Sequence, residues 1–528
     1  MKKRDFLKYT GAAAAASFPG LLNGFNVRAN KHTPFQQLLS PYLADTDKVL
    51  VLIQLNGGND GLNTVIPLDQ YDLYQAAREQ IYIKEHIVLR LTGIDHLGLH
   101  PAMGAMRDLY EEGKLSIVQN VGFPQPNFSH FRATDIWQTG SGAETVLNTG
   151  WIGRYLHYEF PNYPFDFPHP DMPHPLAIEI GSSSSVTMQG PLFGMGIALS
   201  DPTEFYDLVE GLDTPTPDTP AGDQLRYVRL IARQANHYSD YIKEAYESVT
   251  AQSAYPDTGL SEQLKIVARL IAGGLKTRVY QVNLGGFDTH SFQVDGDAHE
   301  EGKHANLLRT LSEAIKAFMD DLVFHGIQDR VVGMTYSEFG RRILSNGSVG
   351  TDHGAAAPIF VFGENVLSGV VGDNPILPAN TSVNDNLAMQ HDYRSVYTTL
   401  LQDWFCVPQN DLPEIMLDQF PTLPLIANSD CVMTSARDQN RKAAKQLLNN
   451  YPNPFTESTN ITFASDGGKT TLQIFNGAGQ LVAVPFNGPC PPGENTISWN
   501  SEDLPAGVYY GRLQNGGIQK VGAMLKVR

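Results

Sequence analysis

Four short stretches of the sequence are almost continuously apolar, rather than alternating between apolar and polar residues. The first is Lys48–Leu55 (KVLVLIQL), and three similar runs follow it along the chain. Such runs predict strands that are buried on both faces, as in a parallel sheet covered by helices. The three later runs are Val279–Leu284, Arg330–Thr335 and Pro358–Gly363.

An amphipathic helix is predicted between the second and the third of these runs. Roughly Ala305–Phe324 carries leucine, isoleucine, phenylalanine and methionine side chains at helical spacing. A helix between two buried strands forms a βαβ unit, so the predicted fold class is α/β, a mostly parallel sheet flanked by helices. Residues 157–222 are rich in Pro, Ser and Asp, and we interpret them as an insertion over the sheet.

The length and the C-terminal composition predict a second domain. A chain of 528 residues exceeds what a single hydrophobic core usually serves. We assign residues 30–427 to the α/β domain and the polar residues 428–450 to a linker. From 451 to 528, short strands alternate with turns, which predicts a small all-β sandwich.

The N-terminal residues 1–29 have the features of an export signal peptide. Lys2-Lys3-Arg4 forms a basic region, and an alanine-rich, weakly apolar stretch follows it. Lys3–Lys8 resembles the twin-arginine (Tat) signal, with Lys3 in place of the first arginine, so both Tat and Sec export remain open. No later segment has the ~18 apolar residues needed to cross a bilayer, so no transmembrane segment is expected in the mature chain.

Charge and cysteine content narrow the class of protein further. The formal net charge of −18, with no basic run to offset it, makes nucleic acid an unfavourable partner. Such a surface suits a soluble exported protein or a cation-rich site. The three cysteines, Cys406, Cys431 and Cys490, do not have zinc-ligand spacing. Either Cys406 and Cys431 form one disulfide in an oxidising compartment, or all three are thiols.

The C-terminal sandwich carries a recognisable pattern in Tyr451–Phe455 (YPNPF), Asn460–Phe463 (NITF) and Leu504–Tyr509 (LPAGVY). This ordered pattern resembles the C-terminal sorting domain of the type IX secretion system of Bacteroidetes. The resemblance implies a protein that passes through the periplasm and is secreted or held at the outer-membrane surface, with the type IX machinery as its partner. The alternative, a carbohydrate-binding sandwich, would need an aromatic platform, for which Trp499 and Tyr509 are the candidates.

Polar residues cluster at the ends of the predicted strands. In an open α/β sheet, ligands bind outside the carboxyl ends of the strands, so clusters that are distant in sequence can converge there. Three clusters follow the first three strands, and the fourth directly precedes the last strand. They are Asn56–Gly61, Gly285–His290, Ser337–Arg342 and Thr351–Gly354.

These clusters predict a divalent metal ion. If Asp60, Asp288 and Asp352 converged without a cation, their carboxylates would repel one another and raise each other's pKa. A bound ion removes that conflict, and aspartate with histidine suits zinc or manganese. Against this, an isolated Asp-x-His segment in a loop is more often a turn or a helix cap than a ligand pair.

A resemblance to a known family rests on several motifs taken together. The motifs are Asn56–Asn63, Leu99–Ala102, Asn127–Phe131, Gly286–His290 and Ser337–Arg341. Together they look like the DUF1501 family, which is uncharacterised in function and similar to the alkaline phosphatase and sulfatase superfamily. That superfamily has a helix-flanked sheet holding one or two metals.

The resemblance implies a metal site built from two aspartate-histidine groups and one further aspartate. In the superfamily one Asp and His are commonly spaced more widely, so His304 competes with His290 as the ligand. Separately, Glu338 is either a further acid at the site or the ion-pair partner of an arginine. The implied metal ligands are Asp60, Asp288, His290, Asp352 and His353.

The resemblance also implies a nucleophile near residue 129. Ser129 stands at the expected place, and Arg132 would hold an anionic oxygen. Equally, Ser129 can be the N-cap of a helix that starts at His130. The chain lacks the Cys-x-Pro-x-Arg signature of formylglycine sulfatases at the required place. The expected function is a metal-dependent hydrolase of phosphate or sulfate esters, and the alternative is a non-catalytic surface binding or structural protein on the same scaffold.

Overall fold

The computed structural model describes most of the chain outside its N-terminal segment. The described residues are 47–160, 163–164, 167–168, 172–191, 193–202, 238–251, 254–427, 431, 448–453, 455–465, 467–476, 481–501, 503–515 and 518–526. The predicted signal peptide, and all of the predicted linker except Cys431 and residues 448–450, lie outside these residues.

The α/β part combines long central strands with helices of one to six turns. Its strands are β1 (Val49–Asn56), β2 (Val65–Pro67), β3 (Leu89–Leu91), β4 (Ile94–Leu99), β5 (Leu115–Gly122), β6 (Ala177–Ile180), β7 (Ile197–Leu199), β8 (Val279–Gly285), β9 (Val331–Tyr336), β10 (Gly340–Asn346), β11 (Gly350–Gly354), β12 (Ala357–Gly363), β13 (Gly369–Val371) and β14 (His391–Asp392). Its α-helices are α1 (Gly61–Thr64), α2 (Tyr71–Ala77), α3 (Gly104–Glu111), α4 (His130–Thr139), α5 (Trp151–Glu159), α6 (Gly259–Ala272), α7 (Lys303–Phe324), α8 (Tyr393–Thr399) and α9 (Leu412–Met416).

The central sheet has the predicted mostly parallel arrangement. Its strand order is β13-β5-β12-β9-β1-β8-β6-β7, with β14 also pairing with β5. β1 pairs in parallel with both β8 and β9, and only β12 runs antiparallel to its neighbours. The four apolar runs are therefore adjacent strands in the middle of this sheet, and the predicted fold class is confirmed.

Both faces of β1 are buried, as its unbroken apolar sequence predicts. Val49, Val51 and Ile53 pack into one core, where α6 and α7 supply most of the opposing side chains. Leu50 and Leu52 pack into a second core on the opposite face, against α4, α5 and α8. Alternate residues of a strand point to opposite faces, so a strand between two helical layers has no polar face.

The antiparallel direction of β12 explains how the fourth polar cluster reaches the site. A strand that runs against its neighbours starts at the edge where they end. β10 and β11 form a separate antiparallel pair that leads from the end of β9 to the start of β12. His353 in β11 is thereby brought to the carboxyl edge of β1, β8 and β9.

The segment interpreted as an insertion over the sheet contributes to the sheet itself, and that interpretation is corrected for its described residues. β6 and β7 pair in parallel and extend the sheet beyond β8. Their sequences, AIEI and IAL, are too short to show a clear apolar run. Pairing of β6 with β8, and of β7 with β6, therefore decides their conformation more than their own sequence does.

The C-terminal part forms two antiparallel sheets around a core of its own. The strands are β15 (Asn449–Tyr451), β16 (Ser458–Ser465), β17 (Gly468–Asn476), β18 (Leu481–Cys490), β19 (Gly493–Asn500), β20 (Gly507–Asn515) and β21 (Ile518–Lys526). One sheet has the order β15-β16-β19 and the other β18-β17-β20-β21. Trp499 and Tyr509 are 4% and 2% exposed in this core, so they do not form a surface platform for carbohydrate.

One disulfide is formed, between Cys406 and Cys431, while Cys490 is buried and unpaired. Of the two alternatives that the sequence leaves open, the disulfide is the one formed. Among the helices of the described residues, none combines the length and the apolar character of a membrane span.

Candidate metal centre

Three side chains converge at the carboxyl edge of the sheet. Asp288 follows β8, His353 lies in β11, and His130 is the first residue of α4. Their ligand atoms all lie within 4.8 Å of one another. The Nε2 atom of His130 is 3.5 Å from Oδ2 of Asp288, and the Nε2 atom of His353 is 3.3 Å from Oδ1. This metal cluster, His130-Asp288-His353, has the donor types that zinc and similar ions prefer.

The second nitrogen of each histidine in the metal cluster is already engaged. Nδ1 of His130 lies 2.8 Å from Oε1 of Glu338, and Nδ1 of His353 lies 2.8 Å from the carbonyl oxygen of Phe128. Both partners are acceptors, so Nδ1 carries the proton, and in the neutral ring the Nε2 atom presents a lone pair. Histidines that bind metals are commonly oriented in this way.

The facing lone pairs and carboxylate favour a cation between them. Burial lowers the pKa of His353, and the charge of Arg341 adds to that effect, so this ring is neutral at neutral pH. Its Nε2 lone pair then faces the Asp288 carboxylate, and without a cation the two repel each other. The residues present therefore fit a divalent metal ion.

Arg341 keeps the third member of the metal cluster ionised. Burial acts to raise the pKa of Asp288, but the hydrogen bond and the charge of Arg341 lower it to about 2. The Nη2 atom of Arg341 donates to Oδ1 of Asp288 at 2.8 Å. The Arg341 side chain is fully buried, and it also donates to the carbonyl oxygens of Gly57, Gly58, Phe287 and Thr351.

His290, a predicted ligand, lies beside the metal cluster as a partner of Asp288. Its Nδ1 atom is 2.7 Å from Oδ1 of Asp288, and its ring meets that of His353 at a centroid distance of 4.6 Å. The side chain is 43% exposed. A His290 ring that bonds the Asp288 carboxylate orients a ligand, and it stays a proposed contributor to the site in that role.

Asp60 is not brought into the metal cluster, and its predicted role as a ligand is corrected. Its side chain is fully buried, and Nη1 of Arg78 contacts both carboxylate oxygens, at 2.7 and 2.5 Å. Gln293 donates a further hydrogen bond of 2.6 Å. Burial alone would raise the pKa of Asp60, but the Arg78 guanidinium and nearby His304 lower it. The negative charge is thus already neutralised by an arginine.

The predicted role of Asp352 as a metal ligand is also corrected, because of the geometry of strand β11. It precedes His353 in β11, and successive side chains of a strand point to opposite faces. His353 faces the metal cluster, whereas Asp352 is exposed and accepts a hydrogen bond of 2.9 Å from Nδ2 of Asn346. An aspartate and a histidine adjacent in a regular strand do not share one ion here.

Neither predicted catalytic residue lies in the cavity beside the metal cluster. Ser129 is exposed at the N-cap of α4, where its side chain makes no capping hydrogen bond. Arg132 forms an ion pair with Asp135 and donates to the carbonyl oxygens of Gly142, Ala143 and Thr145. Its guanidinium therefore fastens the loop after α4, and its predicted role of holding an anion is corrected.

One contributor to the site, His130, was missed from sequence, and the role of a second, Glu338, was left open. His130 is adjacent to Ser129 in the quoted Asn127–Phe131 motif, where only the serine was assigned a role. Glu338 was left open between an acid and an ion-pair partner. In the structure its Oε1 atom accepts from the backbone nitrogen of Gly57 at 2.8 Å as well as from His130. The sequence signal for His130 was its position in the first turn of a predicted helix, directly after the predicted cap Ser129.

A cavity of about 530 Å³ opens next to the metal cluster. Its described lining combines polar, acidic and apolar side chains from the ends of β1, β8 and β9, from α4 and from the segment after β6. The lining residues are Asn56, Gly57, His130, Phe131, Thr134, Asp135, Gln138, Val186, Asp288 and Glu338.

Comparisons with known families identify two regions of the chain. Residues 225–414 match DUF1501, a protein of unknown function, and residues 449–526 match a secretion system C-terminal sorting domain. Both predicted resemblances are confirmed, and the sorting domain indicates export by the type IX system to the surface or the exterior. Asp288, Glu338 and His353 lie within the first match, and His130 precedes it. A comparison with curated proteins finds no significant match.

A comparison with solved structures finds distant likenesses to proteins that include the following two. A protein in the alkaline phosphatase superfamily from Vibrio parahaemolyticus is 11% identical, with 76% of this chain and 74% of that chain covered and a TM-score of 0.31. A sulfatase from Pseudoalteromonas sp. is 10% identical, with 70% and 68% covered and a TM-score of 0.28. At these scores the likeness is too distant to carry a function from those proteins to this chain.

Proposed function

We propose that this exported chain, with its DUF1501 region and its secretion sorting domain, is a metal-dependent hydrolase of an anionic ester, a phosphate or a sulfate ester. The observation that carries the proposal is the metal cluster, in which two histidines present Nε2 atoms to one carboxylate while both Nδ1 atoms are held by acceptors. Zinc or manganese is the proposed ion.

Three protein ligands would leave part of the coordination sphere open, as in catalytic rather than structural zinc sites. A divalent ion held there would supply Lewis-acid chemistry and an acidified water. His130, Asp288 and His353 would bind the ion, and Glu338 would hold the proton of His130 at Nδ1. Arg341 would keep Asp288 ionised and in place, and His290 would bond the same carboxylate.

The proposal contains no covalent intermediate on a serine. Ser129 does not line the cavity next to the metal cluster, and Arg132 is committed to Asp135 and to backbone carbonyls. Neither predicted residue is placed for attack by a side chain, and a divalent ion held by His130, Asp288 and His353 would instead supply an activated water. The anionic nature of the ester is part of the proposal and is based on the resemblance of the sequence motifs, and the cavity of about 530 Å³ would admit a small organic group.

The same observation supports a second candidate, a binding protein that keeps the metal cluster without turnover. In the resembled superfamily a nucleophile and an anion-holding arginine act together with the metal. Here both predicted residues lie outside the cavity lining. A surface protein that holds a metal, or an anion through a metal, needs neither of them.

Metal content of the purified full chain tests the proposal first. We expect about one divalent ion per wild-type chain and a loss of at least tenfold in metal affinity for His353→Ala and His130→Ala. Asp352→Asn is the matched control, because it changes the adjacent residue of the same strand on the opposite face. It is expected to retain the ion.

A subsequent assay separates the two candidates. Hydrolysis of p-nitrophenyl phosphate or p-nitrophenyl sulfate that requires the metal and is lost in His353→Ala supports the hydrolase. Stoichiometric metal with no turnover of either ester supports the binding protein. Absence of metal from a correctly folded wild-type chain supplied with zinc and manganese would overturn both.

A further inference from the structure

One aromatic side chain beside the metal cluster is left almost entirely in solvent. Phe131, the second residue of α4, is 91% exposed and lines the cavity of about 530 Å³. Val186 is 38% exposed and lines the same cavity. Removing apolar surface from water is favourable, and folding leaves the Phe131 ring exposed. A ligand that covers this ring would therefore gain binding free energy.

The helix places this ring close to the proposed ligand His130. Thr134 lies one turn beyond His130, and Gln138 lies one turn further, on the same face of α4. All of these residues line the cavity, together with Phe131. A group held at the metal cluster would therefore place whatever is attached to it within reach of the Phe131 ring.

The charged groups of the cavity are mainly acidic. Asp135, Asp288 and Glu338 line it, and among its described lining residues there is no lysine or arginine. Arg132, the nearest arginine in sequence, is engaged by Asp135 and by backbone carbonyls. A second anionic group on the ligand would find no lysine or arginine among these lining residues, so the loss of its hydration would not be compensated and its binding would be disfavoured.

We propose that Phe131 is a stacking platform for an uncharged ring attached to the anionic group, so that the site accepts monoesters of ring-bearing alcohols and rejects polyanions. This inference rests on the proposed function, because the metal cluster would hold the anionic end. Phe131 acts on specificity, since it contacts the organic part of the ligand and not the reacting atoms.

Two non-hydrolysable probes that differ only in the ring test the platform. Phenylphosphonate and methylphosphonate are titrated calorimetrically into the zinc-loaded full chain. We expect phenylphosphonate to bind about three- to tenfold more tightly to the wild type, the range typical of aromatic pairing. In Phe131→Ala the ratio should fall to near one.

Phe324→Ala is the matched control, because Phe324 is a 58% exposed phenylalanine at the end of α7 and does not line the cavity. It should keep the wild-type ratio. The same ratio in Phe131→Ala as in the wild type would overturn the inference. Tight binding of inorganic pyrophosphate relative to phosphate would overturn the rejection of polyanions.

A metal-free measurement separates this inference from the proposed function. Phenol and methyl β-glucoside carry a ring without an anionic group, and saturation-transfer NMR detects their weak binding to the EDTA-treated chain. Transfer that is lost in Phe131→Ala and kept in Phe324→Ala supports the platform even if no metal binds. The probe that shows it identifies the ring as aryl or sugar, and no Phe131-dependent transfer to either probe counts against the platform.

Discussion

Asp60 and Arg78 form an ion pair in which both side chains are fully buried. The guanidinium also donates to the carbonyl oxygens of Arg342 and Ile343. Two opposite charges in a dry interior are stable only while each compensates the other and the remaining donors are satisfied. The pair therefore fastens the start of α1 to β10 beside the site, and it is a structural rather than a catalytic element.

Replacing Arg78 should destabilise the fold, because the buried Asp60 carboxylate would lose its opposite charge. We expect Arg78→Met to lower the free energy of unfolding of the α/β domain by about 3 to 5 kcal/mol. Urea denaturation followed by circular dichroism measures this. Adding Asp60→Asn to that variant should recover part of the loss, because no buried charge then remains. A change below about 1 kcal/mol in Arg78→Met would contradict the assignment.

For single residues, the sequence identified side chains of the right types at the site, but it did not identify the residue that each of them contacts. Asp288 and His353 stand in glycine-bounded motifs at strand ends, which marked them. Asp60 stands in an equally strong motif, yet its charge is met by Arg78, which belongs to none of the motifs. Whether an aspartate binds a metal or an arginine depends on a contact between residues that sequence spacing does not specify.

The turn that follows β1 is the element on which the site depends most closely. Gly57 has a φ of 123°, and a Cβ atom there would lie 2.2 Å from the backbone nitrogen of Asp288. The turn thus passes directly against the segment that carries the metal cluster's carboxylate. Only a glycine provides both this backbone conformation and the required space.

Gly57→Ala should therefore damage both stability and the site. We expect the free energy of unfolding to fall by about 1 to 3 kcal/mol from the strained backbone alone. Zinc binding should also weaken, because the added methyl group displaces Asp288. Unfolding in urea and zinc titration of the same preparation measure the two effects. Gly285→Ala is the control, since a Cβ atom at that strand end meets nothing within 4 Å. Equal behaviour of the two variants would contradict the prediction.

The elements themselves were predictable where the apolar pattern is unbroken. β1, β8, β9 and β12 were located to within one or two residues, whereas β5 was missed. Its sequence, LSIVQNVG, carries buried polar side chains that interrupt the run. Gln119 is satisfied by Asn374 at 3.0 Å, and Asn120 by the carbonyl oxygen of Asp373 at 2.9 Å. Partners more than 250 residues away make these amides compatible with a central strand.

At the scale of the whole molecule, one covalent link joins the α/β domain to the segment that leads toward the sorting domain. Cys406 follows α8 and the π-helical turn Leu400–Trp404 that continues it, and Cys431 contacts the backbone of Gln402 and Asp403. The ring closed by this disulfide spans a sequence separation of 25. Such a closure restricts the unfolded chain more than the folded one.

Replacing both cysteines, Cys406→Ser with Cys431→Ser, should lower the free energy of unfolding of the α/β domain by about 2 to 4 kcal/mol. The urea midpoint of that transition is the measurement. Reductant provides the control, because it should shift the wild type toward the variant and leave the variant unchanged. If reductant shifted both proteins equally, the stabilisation would not come from this disulfide.

The disulfide also limits where the sorting domain can be cut away. A protease that cleaved the backbone between residues 406 and 431 would leave two fragments still joined by the cystine, so the tail would remain attached to the folded body. Separation of the tail in an oxidising environment requires a cut on the C-terminal side of Cys431. Any protein released by such a cut would end beyond Cys431 and would carry the intact cystine with it.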